Sequence, residues 1–152
     1  MNFPKDFKEF IILLNKNNAE YLIVGGYAVG FHSRPKFTHD IDIWINNTKK
    51  NAGKIIQVLI DFGFTNLDIT IEELSTANKI IQLGNEPMRI DLMTSVSGLD
   101  FDTSYKRKIT GKYYSVNANF LCVADLLKNK SECGRKKDLF DIDWIQQYKK
   151  SE

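Results

Sequence analysis

Three aspartates set inside apolar, strand-forming segments are the residues of this sequence best suited to chemistry. Asp40 and Asp42 belong to Asp40-Ile41-Asp42-Ile43-Trp44-Ile45, and Asp91 lies at the centre of Met88-Arg89-Ile90-Asp91-Leu92-Met93. Side chains alternate across a strand, so Asp40, Asp42 and Trp44 share one face while Ile41, Ile43 and Ile45 fill the other. Aspartate is a poor strand former, and two on one face repel each other. If the two segments lie side by side the three carboxylates converge. At about 4 Å and an effective dielectric near ~20, each like-charge pair then costs about 4 kcal/mol. A divalent cation with oxygen ligands offsets that repulsion. One or two Mg²⁺ ions, or Mn²⁺ in their place, would also hold phosphate oxygens on their free positions.

The second chemical signal is Gly25-Gly26, which stops the short β-rich run Tyr21-Leu22-Ile23-Val24 and opens into a predicted helix from Tyr27 to Phe31. Glycines there let a phosphate approach the backbone at a helix N-terminus, where unpaired N–H groups point outward. No Gly-Lys-Ser/Thr follows, and the G-x-G-x-x-G spacing is missing, so neither a P-loop nor a dinucleotide fingerprint is present. An ordinary glycine turn accounts for the pair taken alone; with the carboxylates nearby, phosphate binding is the better reading. Pro35 ends the helix and restricts Arg34 to an extended conformation. Arg34 is then a solvated charge, a phosphate contact or an ion-pair partner that positions Asp40. His32 and His39 can be drawn as ligands or bases, but isolated histidines near a turn read as packing or hydrogen-bonding residues.

Gly25-Gly26, thirteen further residues, Asp40-Ile41-Asp42 and then Asp91 between apolar neighbours resemble the signature of the polymerase-beta-type nucleotidyltransferase superfamily. Arg34, Thr38 and the Asp40–Ile45 run resemble its small bacterial minimal or abortive-infection-type members. The likeness continues through Arg89-Ile90-Asp91-Leu92, Ser97-Gly98, Phe101-Asp102, Asn129-Lys130, Gly134-Arg135, Lys137-Asp138 and Asp141, which is nearly the whole chain. It implies an α/β (α+β) polymerase-beta-like fold: a mixed sheet, helices mainly on one face and a C-terminal helix pair. It also implies that a nucleoside monophosphate moves from a nucleoside triphosphate to a hydroxyl acceptor on RNA (transfer RNA included), protein or a small molecule, in a toxin–antitoxin or phage-defence setting. Asp40 and Asp42 would bind Mg²⁺ on the triphosphate, and Asp91 a second ion while helping the acceptor lose its proton. Gly25, Gly26, Arg34 and Thr38 would serve the nucleotide. Lys130, on its own a solvated helix-end cation, would be directed toward phosphates, with Arg135 and Lys137 contacting triphosphate or an RNA backbone. The alternatives are an antibiotic-modifying nucleotidyltransferase and a non-catalytic nucleotide-binding antitoxin or regulatory partner.

The elements that must position these groups follow from periodicity. Phe7, Phe10, Ile11, Leu13 and Leu14 predict a first helix, and Lys54 to Phe62 a broad one closed by Gly63. Phe64 to Ile69 reads as a weak strand and Ile71 to Leu74 as a brief helical turn. Lys79 to Leu83 with Met88 to Met93 reads as an antiparallel hairpin that delivers Asp91 to the sheet. A short helix is expected within Phe101 to Lys108, and a hairpin or edge strand over Ile109 to Val116. Asn119 is expected to cap a helix from Phe120 to Lys130. A last helix from Lys136 to Tyr148 presents Leu139, Ile142 and Ile145.

With 152 residues, 43% of them apolar, the chain suits one domain over 1–152, as a monomer or a homodimer that completes an acceptor pocket. A net charge of +2 identifies no nucleic-acid partner by itself. No apolar run is long enough for a membrane span, and no secretory leader is recognisable, so a cytoplasmic protein is expected. Cys122 and Cys133 lack zinc-ligand spacing and read as reduced, structural residues in helices.

Overall fold

The computed structural model describes residues 5–33, 38–64, 68–84, 89–113 and 115–151. Helix α1 (Lys5–Lys16) forms where apolar residues recur at helical spacing, and Phe7, Phe10, Ile11 and Leu14 are all buried. It leads into β1 (Tyr21–Val24), α2 (Gly25–His32) and β2 (Asp40–Ile45). The Thr48 hydroxyl accepts the Asn51 N–H at 3.1 Å and caps α3 (Lys49–Phe62), five residues earlier than the apolar pattern places its start. Gly63, left-handed at φ 113°, ends that helix as expected. Then come α4 (Ile71–Leu74), β3 (Ile80–Leu83), β4 (Arg89–Met93), α5 (Phe101–Lys106), β5 (Ile109–Tyr113), β6 (Val116–Phe120), α6 (Val123–Cys133) and α7 (Lys136–Ser151).

The strands make one mixed sheet in the order β3-β4-β2-β1-β6-β5. Strand β2 runs antiparallel to β1 and parallel to β4, and β6 joins β1 in parallel at Ile23↔Phe120. Residues in register share a face, so the pairing decides which side chains meet. One face carries Ile23, Ile41, Ile43, Ile45, Ile90, Leu92 and Phe120, all buried. Helices α1 and α3 pack together on that side, with Phe10 edge-on to Phe62. The other face carries Leu22, Trp44, Met93 and Ile80 in one row across four strands. The next row is Val24, Asp42, Asp91 and Gln82, and beyond it lie Asp40 and Arg89. This is the mixed sheet with its C-terminal helix pair that the sequence predicts.

Several expectations need correcting. Asn119 does not cap a helix: it and Phe120 belong to β6, whose burial alternates along Val116–Phe120, and α6 starts only after Cys122. Pairing with β1 and β5 overrides the helical spacing of the apolar residues that follow. Phe64, Asp68 and Ile69 are not in a strand, and positions 65–67 lie outside the described residues. Leu139 is exposed rather than facing the core, whereas Ile145 is buried. Both thiols are free, but Cys122 is the residue before α6 rather than part of it, and each is half-buried. Among the described residues no helix is long and apolar enough to cross a membrane.

Candidate active site

The register of β2 and β4 brings the three aspartates together. Asp42 stands directly opposite Asp91, and Asp40 opposite Arg89, on neighbouring strands that lie about 4.8 Å apart. Both acids of the Asp42–Asp91 pair therefore project from one face at adjacent positions. Asp91 is buried, while Asp40 and Asp42 are partly exposed. Burial first, and then the charge of Asp91, push the Asp42 carboxyl up to about 6, with Lys137 and Lys130 pulling the other way. Asp40 keeps Oδ1 buried with no hydrogen-bond partner among the described residues.

Asp42 lies against the turn from β1 into α2. Gly25 has φ 66°, and a Cβ there would stand 2.3 Å from Asp42 Oδ2, so glycine is needed for the backbone conformation and for the close approach alike. Gly26 serves a different contact: a Cβ on it would meet the Thr38 side chain at 3.2 Å. Thr38 thus packs on Gly26, and its hydroxyl donates to the Asp40 carbonyl at 3.3 Å, steadying the entry into β2. Arg34 lies outside the described residues. His32 Nε2 is 2.7 Å from the Leu121 carbonyl and the ring sits edge-on to Phe31, a structural placement. His39 is exposed.

The cationic side comes from the C-terminal helices. A cleft of ≈ 410 Å³ is lined by Gly25, Asp42, Met93, Ser95, Lys130 and Arg135 among others. Lys130 is buried, with its Nζ 3.4 Å from Asp138 Oδ1 and 3.1 Å from Asp141 Oδ2. Asp138 and Asp141 occupy one face of α7, as their spacing predicts. Arg135 donates through its backbone N–H, Nε and Nη2 to Asp138 at 3.2, 2.6 and 3.1 Å. Burial alone would raise the Asp138 carboxyl, but the Arg135 hydrogen bond and the charges of Lys130 and Arg135 bring it below its ordinary value. Lys137 is exposed on α7, and its charge reaches Asp42. In this cleft the sheet supplies Asp42, and the helix pair supplies Lys130 and Arg135.

Sequence reasoning passed over Arg89 as a member of this site. Its guanidinium bridges Asp91 and Asp40, with Nε 2.7 Å from Asp91 Oδ1 and Nη2 3.1 Å from Asp40 Oδ2. The signal was present, since Arg89 lies two residues before Asp91 and so on the same strand face. With that bridge in place, the acids do not form a three-ligand cage among the described residues. The donor set still fits a hard divalent cation: three carboxylates on one face, an orphaned buried oxygen on Asp40 and a carboxyl at Asp42 whose charge is destabilised by burial.

No family model matches the sequence, and no curated protein does. Solved structures do share the fold. The crystal structure of the lincosamide antibiotic adenylyltransferase LnuA, bound to lincomycin, matches with a TM-score of 0.63 at 17% identity, over 95% of this chain and 97% of that one. A Thermotoga maritima protein described as a nucleotidyltransferase matches with a TM-score of 0.60 at 14% identity, over 93% of this chain and 91% of that one. The fold is therefore the polymerase-beta-like nucleotidyltransferase fold.

Proposed function

We propose that the chain is a single-domain, divalent-metal-dependent nucleotidyltransferase, moving a nucleoside monophosphate from a nucleoside triphosphate to a hydroxyl acceptor. The observation that carries this reading is the Asp42–Asp91 register pair, with Asp40 two residues along β2, together with the cleft that Asp42 lines in company with Gly25, Lys130 and Arg135. In the reaction the acceptor oxygen forms a bond to the α-phosphorus, the bond to the bridging oxygen of pyrophosphate breaks, and the acceptor proton passes to a carboxylate. Asp40 and Asp42 would hold the cation on the triphosphate, and Asp91 would hold a second and receive the proton. When bound, Mg²⁺ or Mn²⁺ supplies charge neutralisation at the phosphates and acidifies the acceptor hydroxyl. Gly25, whose missing side chain lets the Asp42 carboxylate close against the turn, would present its backbone to the phosphates. Lys130, held in place by Asp138 and Asp141, and Arg135, held by Asp138, direct positive charge at the same cleft.

The acceptor class is chosen among RNA, protein and small hydroxylated molecules. Full-length likeness to an enzyme that adenylylates a lincosamide favours a small-molecule acceptor as a second reading beside the toxin–antitoxin one. The test is incubation with Mg²⁺, each labelled nucleoside triphosphate and either cell extract or a lincosamide panel, with chelator and Asp42→Asn as controls. Label should pass to RNA, protein or drug only with metal and intact Asp42. Label that never leaves the nucleotide in any arm would sink the reading and favour a non-catalytic nucleotide-binding role.

A further inference from the structure

Arg89 occupies the carboxylate site in a way that three metal ligands alone would not require. It stands in register with Asp40 and two residues before Asp91, so its side chain leaves the sheet on the acidic face. Its Nε donates to Asp91 Oδ1 at 2.7 Å and its Nη2 to Asp91 Oδ2 at 3.1 Å. The same Nη2 reaches Asp40 Oδ2 at 3.1 Å. The planar fork thus takes both oxygens of one carboxylate and one oxygen of a second. Those lone pairs are the ones a cation would need. Guanidinium keeps its charge at every accessible pH, so Arg89 does not leave by losing a proton; a competing cation can take its place. The Arg89 side chain is 21% exposed, which leaves it solvent to swing into, while β4 keeps it tethered beside the site.

We infer that Arg89 is the resident counter-ion of this site: a divalent cation must displace its guanidinium from Asp91 and Asp40 to bind, so Arg89 limits cation affinity while holding the carboxylates in place in the cation's absence. This rests on the reading of Asp40, Asp42 and Asp91 as cation ligands. An unpartnered acidic row would repel itself and splay the ends of β2 and β4. Arg89 prevents that, and in exchange raises the cation concentration at which the site fills.

The experiment is calorimetric and spin-resonance titration of the nucleotide-free protein with Mn²⁺, for wild type, Arg89→Met and Arg89→Lys. Arg89→Met should bind Mn²⁺ about tenfold or more tightly than wild type. Arg89→Lys, which keeps the charge and loses the fork, should fall between the two. Without metal, Arg89→Met should melt at a lower temperature than wild type and gain more from added Mn²⁺. Equal or weaker Mn²⁺ binding by folded Arg89→Met overturns the counter-ion role. Should that variant fail to fold without metal, Arg89→Lys decides: tighter binding than wild type supports the role, and equal or weaker binding overturns it. Absence of Mn²⁺ binding in every variant overturns the cation-site reading itself, whereas binding that ignores Arg89 overturns only the counter-ion role.

Discussion

Burial, with the charge of Asp91 behind it, lifts the Asp42 carboxyl from 3.8 to about 6. A carboxyl raised in the native state binds more protons there than in the unfolded chain between those two values, so metal-free stability rises as pH falls from about 6 towards 4. Above pH 6 the ionised group costs the fold at most about 3 kcal/mol, and less because the residue is only half-buried. Asp42→Asn keeps the shape and removes the charge. It is expected to raise the neutral-pH melting temperature of the metal-free protein and to abolish transfer, with the stability difference closing near pH 4. Melts across pH 4–8 and a product assay check both, and a wild-type rate in the variant would end the cation mechanism. Lys130 fails differently. Its ammonium offsets two fully buried carboxylates, Asp138 and Asp141, and removing one partner of a buried ion pair costs about 3–5 kcal/mol. Lys130→Ala should lose stability by circular dichroism and, at temperatures where it is folded, turn over roughly 10- to 1000-fold more slowly. Undiminished turnover would return Lys130 to a structural role. The aspartates were legible because strand alternation exposes an acid in an apolar run, and so was the Arg89–Asp91 neighbourhood two residues apart on one strand; the Arg89–Asp40 contact and the partners of Lys130 were not, because strand register and helix docking choose them.

At the scale of elements, the turn from β1 into α2 is where backbone and chemistry meet. Gly25→Ala forces a Cβ into a left-handed conformation, costing about 1–2 kcal/mol, and drives it into Asp42 Oδ2. The expected result is a lower melting temperature together with weaker Mn²⁺ binding, read by thermal melts and titration. Wild-type values for both would mean that the turn re-forms without the glycine. The strands carrying the acids could be read directly, since short β-branched runs bounded by Gly, Asn and Pro have few alternative interpretations. Strand β6 could not. Val116-Asn117-Ala118-Asn119-Phe120 has weak strand character, and its conformation is decided by β1 and β5, which flank it in space. Asn51 was missed for a similar reason. It is buried inside the first turn of α3, where it accepts from Glu20 N–H at 2.7 Å and donates to the Glu20 and Asn46 carbonyls at 3.0 and 2.9 Å, tying β1 and β2 to the helix; nothing in its sequence neighbourhood announces that.

For the whole molecule, the division of charge between sheet and helix pair sets the expected ligand behaviour. Nucleoside triphosphate should bind weakly to the metal-free protein, because the acidic side of the cleft repels it, and more tightly with Mg²⁺ or Mn²⁺. Calorimetry with ATP, CTP, GTP and UTP checks this, and equal affinity in excess chelator would count against the site. The sheet order has a further bearing on how the molecule comes to exist. Strands β1 to β4 and the three aspartates are all made within residues 21–93, whereas Lys130, Arg135 and Lys137 follow in the last helices, and β6 finds β1 from about a hundred positions away in the chain. Contacts that distant form slowly, and chains emerge from the ribosome N-terminal end first. A nascent chain therefore presents its acidic row, with Arg89 already beside it, well before Lys130, Arg135 and Lys137 exist, and only docking of the final helix pair gives the cleft its second wall.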